Sequence, residues 1–224
     1  MRDREYQIGI VNEKVDQYLA KLLPKRDSVL KDLERDAAKR NVPIIGPLVG
    51  NLISIILSSS KPQKALEIGT ATGYSGIWIA RSLVGGNKKL TTIELDPERI
   101  KEAKESFKRA RVSKIVEIKK GDARALVPEI VRRKKGSFDL VFLDVGDKTL
   151  YVDLLSSCID ALKVGGFLIA DNTLWGGSVA ATGDKSPETT TIRKFNELVF
   201  SEKRLDVAII PLRDGFTVAR KKKN

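Results

Sequence analysis

The chain has 224 residues, a formal charge of +12, one cysteine and no histidine. One cysteine excludes an internal disulfide and Cys-based zinc sites, and the lack of histidine removes serine–histidine hydrolysis, histidine general bases and histidine-ligated metals together. No apolar run reaches about 18 residues and no basic-then-apolar leader opens the sequence, so the expectation is a soluble cytoplasmic protein of one domain with no membrane partner.

Taken in order, Ile8, Val11, Val15, Tyr18, Leu22 and Leu23 recur at helical spacing and predict an amphipathic helix within 1–23, laid on the core or on a second subunit. Pro24 breaks it, and 27–39 reads as another helix. Pro43, Gly46 and Pro47 then forbid regular structure until a helix starts near Leu48, which leaves an irregular loop as a candidate ligand wall. The stretch KALEIGTATGYSGIWIA, 64–80, reads as strand, glycine turn and helix. Gly69 and Gly73 are spaced G-x-x-x-G, which is neither the dinucleotide fingerprint nor a P-loop, and Glu67 places a negative charge where a pyrophosphate would be repelled. Glu94 ends the next strand, LTTIEL, where an acidic side chain can accept from both ribose hydroxyls. A ribose beside a cationic centre suggests S-adenosylmethionine; the plainer reading makes Glu67 and Glu94 ordinary strand-end carboxylates.

Asp96 and Pro97 mark a helix start, and the helix runs to about Ala110. IVEIKKGDA is a third strand ending at Gly121, Asp122 and Ala123, a polar turn that could meet an adenine. FDLVFLD, 138–144, is nearly all apolar and reads as a central parallel strand. Tyr151 to Leu162 reads as helix, closed by Gly165 and Gly166, and Cys158 within it as a buried thiol. FLIADN is strand five, Thr190 to Phe200 is helix, and LDVAIIPL with FTVAR forms a hairpin across Arg213, Asp214 and Gly215. The sum is an α/β fold: a Rossmann-like, doubly wound, mostly parallel seven-stranded sheet with a C-terminal antiparallel hairpin strand and helices on both faces. Ligands in such sheets bind beyond the carboxyl ends of the strands. There Asp144 closes strand four, and Asp171 with Asn172 closes strand five. Three oxygen donors suit a hard cation, with Lys148 nearby; alternatively the two aspartates cap helices and Lys148 is a solvated charge.

ALEIGTATGYS, TTIELDPERI, FDLVFLDVGDKTLY, GGFLIADNTLWGG and PLRDGFTVARK, in this order and spacing, resemble the cation-dependent O-methyltransferase family that includes catechol and caffeoyl-coenzyme A O-methyltransferases. VPIIGPLVGNL resembles that family's upstream segment, and the resemblance runs from about Asp16 onward. It implies one S-adenosylmethionine-dependent methyltransferase domain over 1–224, with a helical cap and access loop in 1–60 and the Rossmann-like core in 61–224. It implies that Gly69, Tyr74 and Ser75 line the methionine end of the cofactor, with Glu67 and Asp144 beside it and Ile45 and Gly46 added from the access loop. Glu94 would hold the ribose, and Asp122 with Ala123 would border the adenine. Asp144, Asp171 and Asn172 would coordinate a divalent cation, magnesium before calcium or manganese. Lys148 would act as general base with Asp144 beside it, and Trp175 would border the acceptor. The family reads Asp-x-Asp-Lys after strand four, whereas here Asp144, Val145, Gly146, Asp147 and Lys148 put the lysine one residue late. Either a bulge at Gly146 absorbs the extra residue, or Asp147 replaces Asp144, or the lysine turns away.

The implied activity is methyl transfer to a hydroxyl of a catechol-like small molecule, by a homodimer. Two alternatives stand beside it. The +12 charge suits a hydroxylated base in transfer RNA, although 31% charged residues also fits a heat-adapted surface of ion pairs. A non-catalytic module that binds S-adenosylmethionine is the other.

Overall fold

The structure is a computed structural model and describes residues 13–223. Ile8 and Val11 of the expected first helix lie outside the described residues. Among the described residues seven strands form a mixed sheet in the order β3 (Val116–Lys120), β2 (Lys89–Glu94), β1 (Lys64–Ile68), β4 (Phe138–Leu143), β5 (Leu162–Asp171), β7 (Phe216–Lys221), β6 (Leu205–Ile210). Contacts group the described residues into two compact units, 14–122 and 123–223.

The first unit holds α1 (Glu13–Leu22), α2 (Ser28–Arg40), α3 (Gly46–Ser58), β1 (Lys64–Ile68), α4 (Tyr74–Ser82), β2 (Lys89–Glu94), α5 (Pro97–Arg109) and β3 (Val116–Lys120). Its three strands are parallel, with Leu66 opposite Thr91 and Thr91 opposite Glu117. Local signals account for the helix starts. Asp27 accepts from the Leu30 N–H at 3.0 Å and Asp96 from the Glu98 N–H at 2.8 Å, so each carboxylate satisfies a donor that the first turn leaves open. α3 begins at Gly46, two residues before the expected Leu48. Pro47 falls in its first turn, where a missing N–H removes no helical bond.

The second unit holds α6 (Ala123–Lys134), β4 (Phe138–Leu143), α7 (Thr149–Ala161), β5 (Leu162–Asp171), a short 3-10 turn (Trp175–Ala180), α8 (Pro187–Ser201), β6 (Leu205–Ile210) and β7 (Phe216–Lys221). β4 is buried along its whole length and pairs in parallel with β5, as a continuous apolar strand should. β7 runs antiparallel to both β5 and β6. Gly165 and Gly166 do not close α7, which ends at Ala161; they lie inside β5. Gly165 is left-handed at φ +84°, and the β4–β5 register shifts between Phe138 and Leu140, so the pair bends the strand. Cys158 in α7 is fully buried, and burial pushes its thiol up to about 12.

Candidate active site

The turn after β1 is held from below. Glu67 is 0% exposed, and both its oxygens are taken: the Ser75 hydroxyl donates to Oε1 at 2.6 Å and the Thr92 hydroxyl to Oε2 at 2.6 Å. Because Thr92 spends its proton on Glu67, the 2.5 Å contact between the Thr70 and Thr92 hydroxyls requires Thr70 to donate. Glu67 thus ties β1, β2 and the start of α4 together instead of presenting a charge to a ligand. Gly73 sits at φ +86°, and a Cβ there would come within 3.1 Å of the Phe107 ring, so both conformation and packing demand glycine.

Tyr74 and Ser75 also turn inward. Tyr74 is 2% exposed and its hydroxyl donates to Glu34 at 2.8 Å, while Arg26 clasps the same carboxylate at 2.7 Å. Neither side chain offers its polar atom to the open side of the turn. Glu94 does stand at the turn. It is half-buried, its Oε2 accepts from the Ala71 N–H at 2.9 Å, and its Oε1 accepts from the N–H groups of Leu95 and Asp96. Ile45 is buried at the position just before α3, next to buried Gly46, and makes no side-chain bond to the helix start. Asp122 is exposed in the turn after β3, and Ala123 opens α6.

In the second unit the ends of β4 and β5 gather a polar cluster. Lys148 is 6% exposed; its Nζ donates to the Val145 carbonyl at 2.8 Å, to Asn172 Oδ1 at 3.0 Å and to the Tyr151 hydroxyl at 3.2 Å. The ammonium also lies 4.7 Å from the Tyr151 ring centre and 5.3 Å from that of Trp175. Burial lowers the Lys148 pKa, opposed by the charges of Asp144, Asp171 and Asp214. Burial raises the Asp171 carboxyl to about 7, and the neighbouring Asp144 pushes it the same way. Asp144 is raised by burial too, with Lys148 and Arg213 pulling it down. The extra residue after β4 is absorbed without losing this cluster. Asp147 turns outward, capping α7 through the Thr149 N–H at 3.0 Å and pairing with Arg124 at 2.9 Å, while Lys148 stays inside.

The donor set suits a hard cation by its chemistry: two carboxylates that burial drives toward protonation, Asp171 further so by the charge of Asp144, with the Asn172 amide oxygen alongside. Among the described residues no group of three His, Cys, Asp or Glu side chains stands together as a metal cage, so the set is two carboxylates and an amide. Two participants escaped the sequence reading. Tyr151 accepts from Lys148 and donates to the Asp171 carbonyl at 2.9 Å; its spacing of one helical turn from Lys148 was the available signal. Asp214, half-buried, accepts from the Gly176 N–H and adds a third negative charge near Lys148.

The chain as a whole is similar to known proteins. The family model described as O-methyltransferase matches residues 23–222. A caffeoyl-CoA O-methyltransferase of Stellaria longipes is 33% identical over 221 residues, covering 94% of this chain and 91% of that one. A catechol O-methyltransferase of Niastella koreensis is 30% identical over 202 residues, covering 89% and 90%. Among solved structures, the O-methyltransferase from Bacillus cereus in complex with SAH superposes with a TM-score of 0.84 at 29% identity, covering 93% of this chain and 97% of that one. TomG from Streptomyces achromogenes in complex with SAM gives 0.84 at 26% identity over the whole of both chains. With a matched segment that takes in the Glu94 turn, the Lys148 cluster and the C-terminal hairpin alike, the chain belongs to the O-methyltransferase family.

Proposed function

We propose that the protein transfers a methyl group from S-adenosylmethionine to one hydroxyl of a vicinal dihydroxy phenol, with a divalent cation at Asp144, Asp171 and Asn172. One observation carries this reading: a buried lysine amine with a lowered pKa sits between an amide and a phenol, beside the buried carboxyl of Asp171 and the half-buried one of Asp144. When bound, S-adenosylmethionine supplies an electrophilic methyl group and the cation, magnesium before calcium or manganese, neutralises charge on the acceptor oxygens. Glu94 would hold the ribose, the backbone of the Gly69 turn the methionine end, and Asp122 with Ala123 the adenine edge. Lys148, deprotonated more readily than an ordinary lysine, would take the acceptor proton at Nζ. Asn172 and Tyr151 keep Nζ in place, and Trp175 would cover the acceptor ring.

The test is methyl transfer from labelled S-adenosylmethionine to caffeate and, separately, to bulk transfer RNA, each with magnesium and with chelator. Labelling of caffeate that chelator abolishes is the expected result. Labelling of RNA alone would give the +12 charge a functional part instead, and no transfer at all with intact cofactor binding would favour a binding module. The same reading carries a cytoplasmic homodimer, which sedimentation equilibrium would report as twice the 24.8 kDa chain mass.

A further inference from the structure

The segment after β5 is held in a conformation it would not keep alone. Trp175, Gly176 and Gly177 follow one another at φ +46°, +60° and +85°. A left-handed tryptophan is uncommon and persists only where its surroundings over-determine it. The surroundings here are one face of α8 and the β6–β7 turn. From α8 the Arg193 guanidinium donates to four main-chain carbonyls of the segment: Val179 at 2.9 Å, Asp184 at 2.6 Å, Ser178 at 2.9 Å, and Ala181. Charge-assisted bonds of this kind are among the stronger ones, and a planar fork serves several acceptors at once. One helical turn on, Asn196 donates to the Thr173 carbonyl at 2.8 Å. From the other side Asp214 takes the Gly176 N–H through its carboxylate and the Leu174 N–H through its carbonyl, at 2.9 Å for the latter.

α8 is itself tied to the lysine. Phe195, fully buried between Arg193 and Asn196 in sequence, meets the Tyr151 ring edge to face at 5.3 Å, and the Tyr151 hydroxyl accepts from Lys148. The same helix therefore references both the Trp175 segment and the phenol that seats the base.

We infer that Arg193 and Asn196 are positioning residues: they clasp the 173–184 segment so that the Trp175 ring stays over the Lys148 amine, and so set affinity for the acceptor and not for the cofactor. The inference rests on the reading that Trp175 covers the acceptor. The full-length protein carrying Arg193→Ala should show an acceptor KM for caffeate raised about tenfold, since a displaced Trp175 ring withdraws apolar contact area from the acceptor. Its kcat and its SAH dissociation constant by calorimetry should stay within about twofold of the parent. Arg193→Lys, which keeps the charge but loses the fork, should recover part of the KM, and it decides the matter should the alanine variant not fold. A merely structural role would lower the melting temperature and leave KM where it was. A raised KM in Trp175→Ala with an unchanged KM in both Arg193 variants overturns the inference alone, whereas an unchanged KM in Trp175→Ala overturns the acceptor reading and the inference with it. One readout needs no acceptor. The chain has two tryptophans, so in a Trp78→Phe background acrylamide quenching reports Trp175 only. Arg193→Ala or Arg193→Lys should raise that quenching about twofold, and no rise overturns the clasp.

Discussion

Glu67 and Asp171 are both carboxylates buried in the sheet, 0% and 6% exposed, yet their surroundings treat them in opposite ways. Around Glu67 both carboxylate oxygens meet donors: the Ser75 and Thr92 hydroxyls bond it directly, and the Thr70 hydroxyl stands behind Thr92. Around Asp171 burial and then a second carboxylate, Asp144, push the carboxyl to about 7, against one N–H bond from Asn172 at 3.0 Å and the charges of Arg213 and Lys148. A buried acid whose lone pairs are met serves the fold. A buried acid facing its own kind costs stability in the ligand-free protein, and such arrangements mark the places where a charged ligand or a proton is handled. The turn region is built to stay as it is; the Lys148 region is built to receive something.

That contrast can be tested from the largest expected effect downward. Lys148→Ala should lower kcat by about 10²- to 10⁴-fold, the ordinary contribution of a general base, with SAH affinity unchanged by calorimetry. A loss of less than about tenfold would move the base elsewhere. Asp171→Asn should abolish transfer while leaving the urea midpoint unchanged or higher, because it removes a poorly solvated charge. Glu67→Gln should do the reverse at the level of the fold: an NH₂ would replace an acceptor in a cage of donors, costing about 1–3 kcal/mol in urea unfolding. If both substitutions destabilise alike, the distinction between the two regions fails.

The pH dependence sharpens the same point. In the folded protein Asp171 titrates at about 7, against about 3.9 for an aspartate in an unfolded chain. Between those values the folded state holds a proton that the unfolded state has released, so this group's contribution to stability declines as pH rises from about 4 to about 7, then levels off. Melting temperatures of the parent minus those of Asp171→Asn, taken without metal, should fall across that window; a difference that rises with pH would refute the assignment. Smallest of all, Ser75→Ala should cost about 1 kcal/mol, since Glu67 keeps one of its two hydroxyl donors.

Much of this was readable from residues taken in sequence. The apolar run of β4, the Asp96–Pro97 helix start and the closing hairpin emerged where local pattern placed them, because each depends on neighbours within a few positions. Asp144, Lys148, Asp171 and Asn172 do share one cluster, despite the additional residue after β4. The direction of Glu67 was not readable. In a strand buried on both faces, period-two alternation no longer separates inside from outside, so a strand-end acid and a buried brace look the same. Asp214 stayed hidden because its bond joins chain segments 38 residues apart, and of Tyr151 only the one-turn spacing from Lys148 is local, while its bond to the Asp171 carbonyl crosses 20 residues that no local pattern links. Gly165 and Gly166 look like a helix stop, and only the pairing of β5 with β4 reveals them as a bend.

Cys158 offers a practical consequence. Fully buried and with its thiol held near 12, it presents almost no thiolate to a reagent in the native protein at pH 8, whereas in an opened chain it returns to an ordinary value of about 8.5. The chain has no other cysteine. The rate at which a disulfide reagent labels the protein is therefore a one-channel clock for opening of the α7 layer. Run on the Glu67, Ser75 and Asp171 variants in turn, it would time how often each substitution lets the Cys158 layer open.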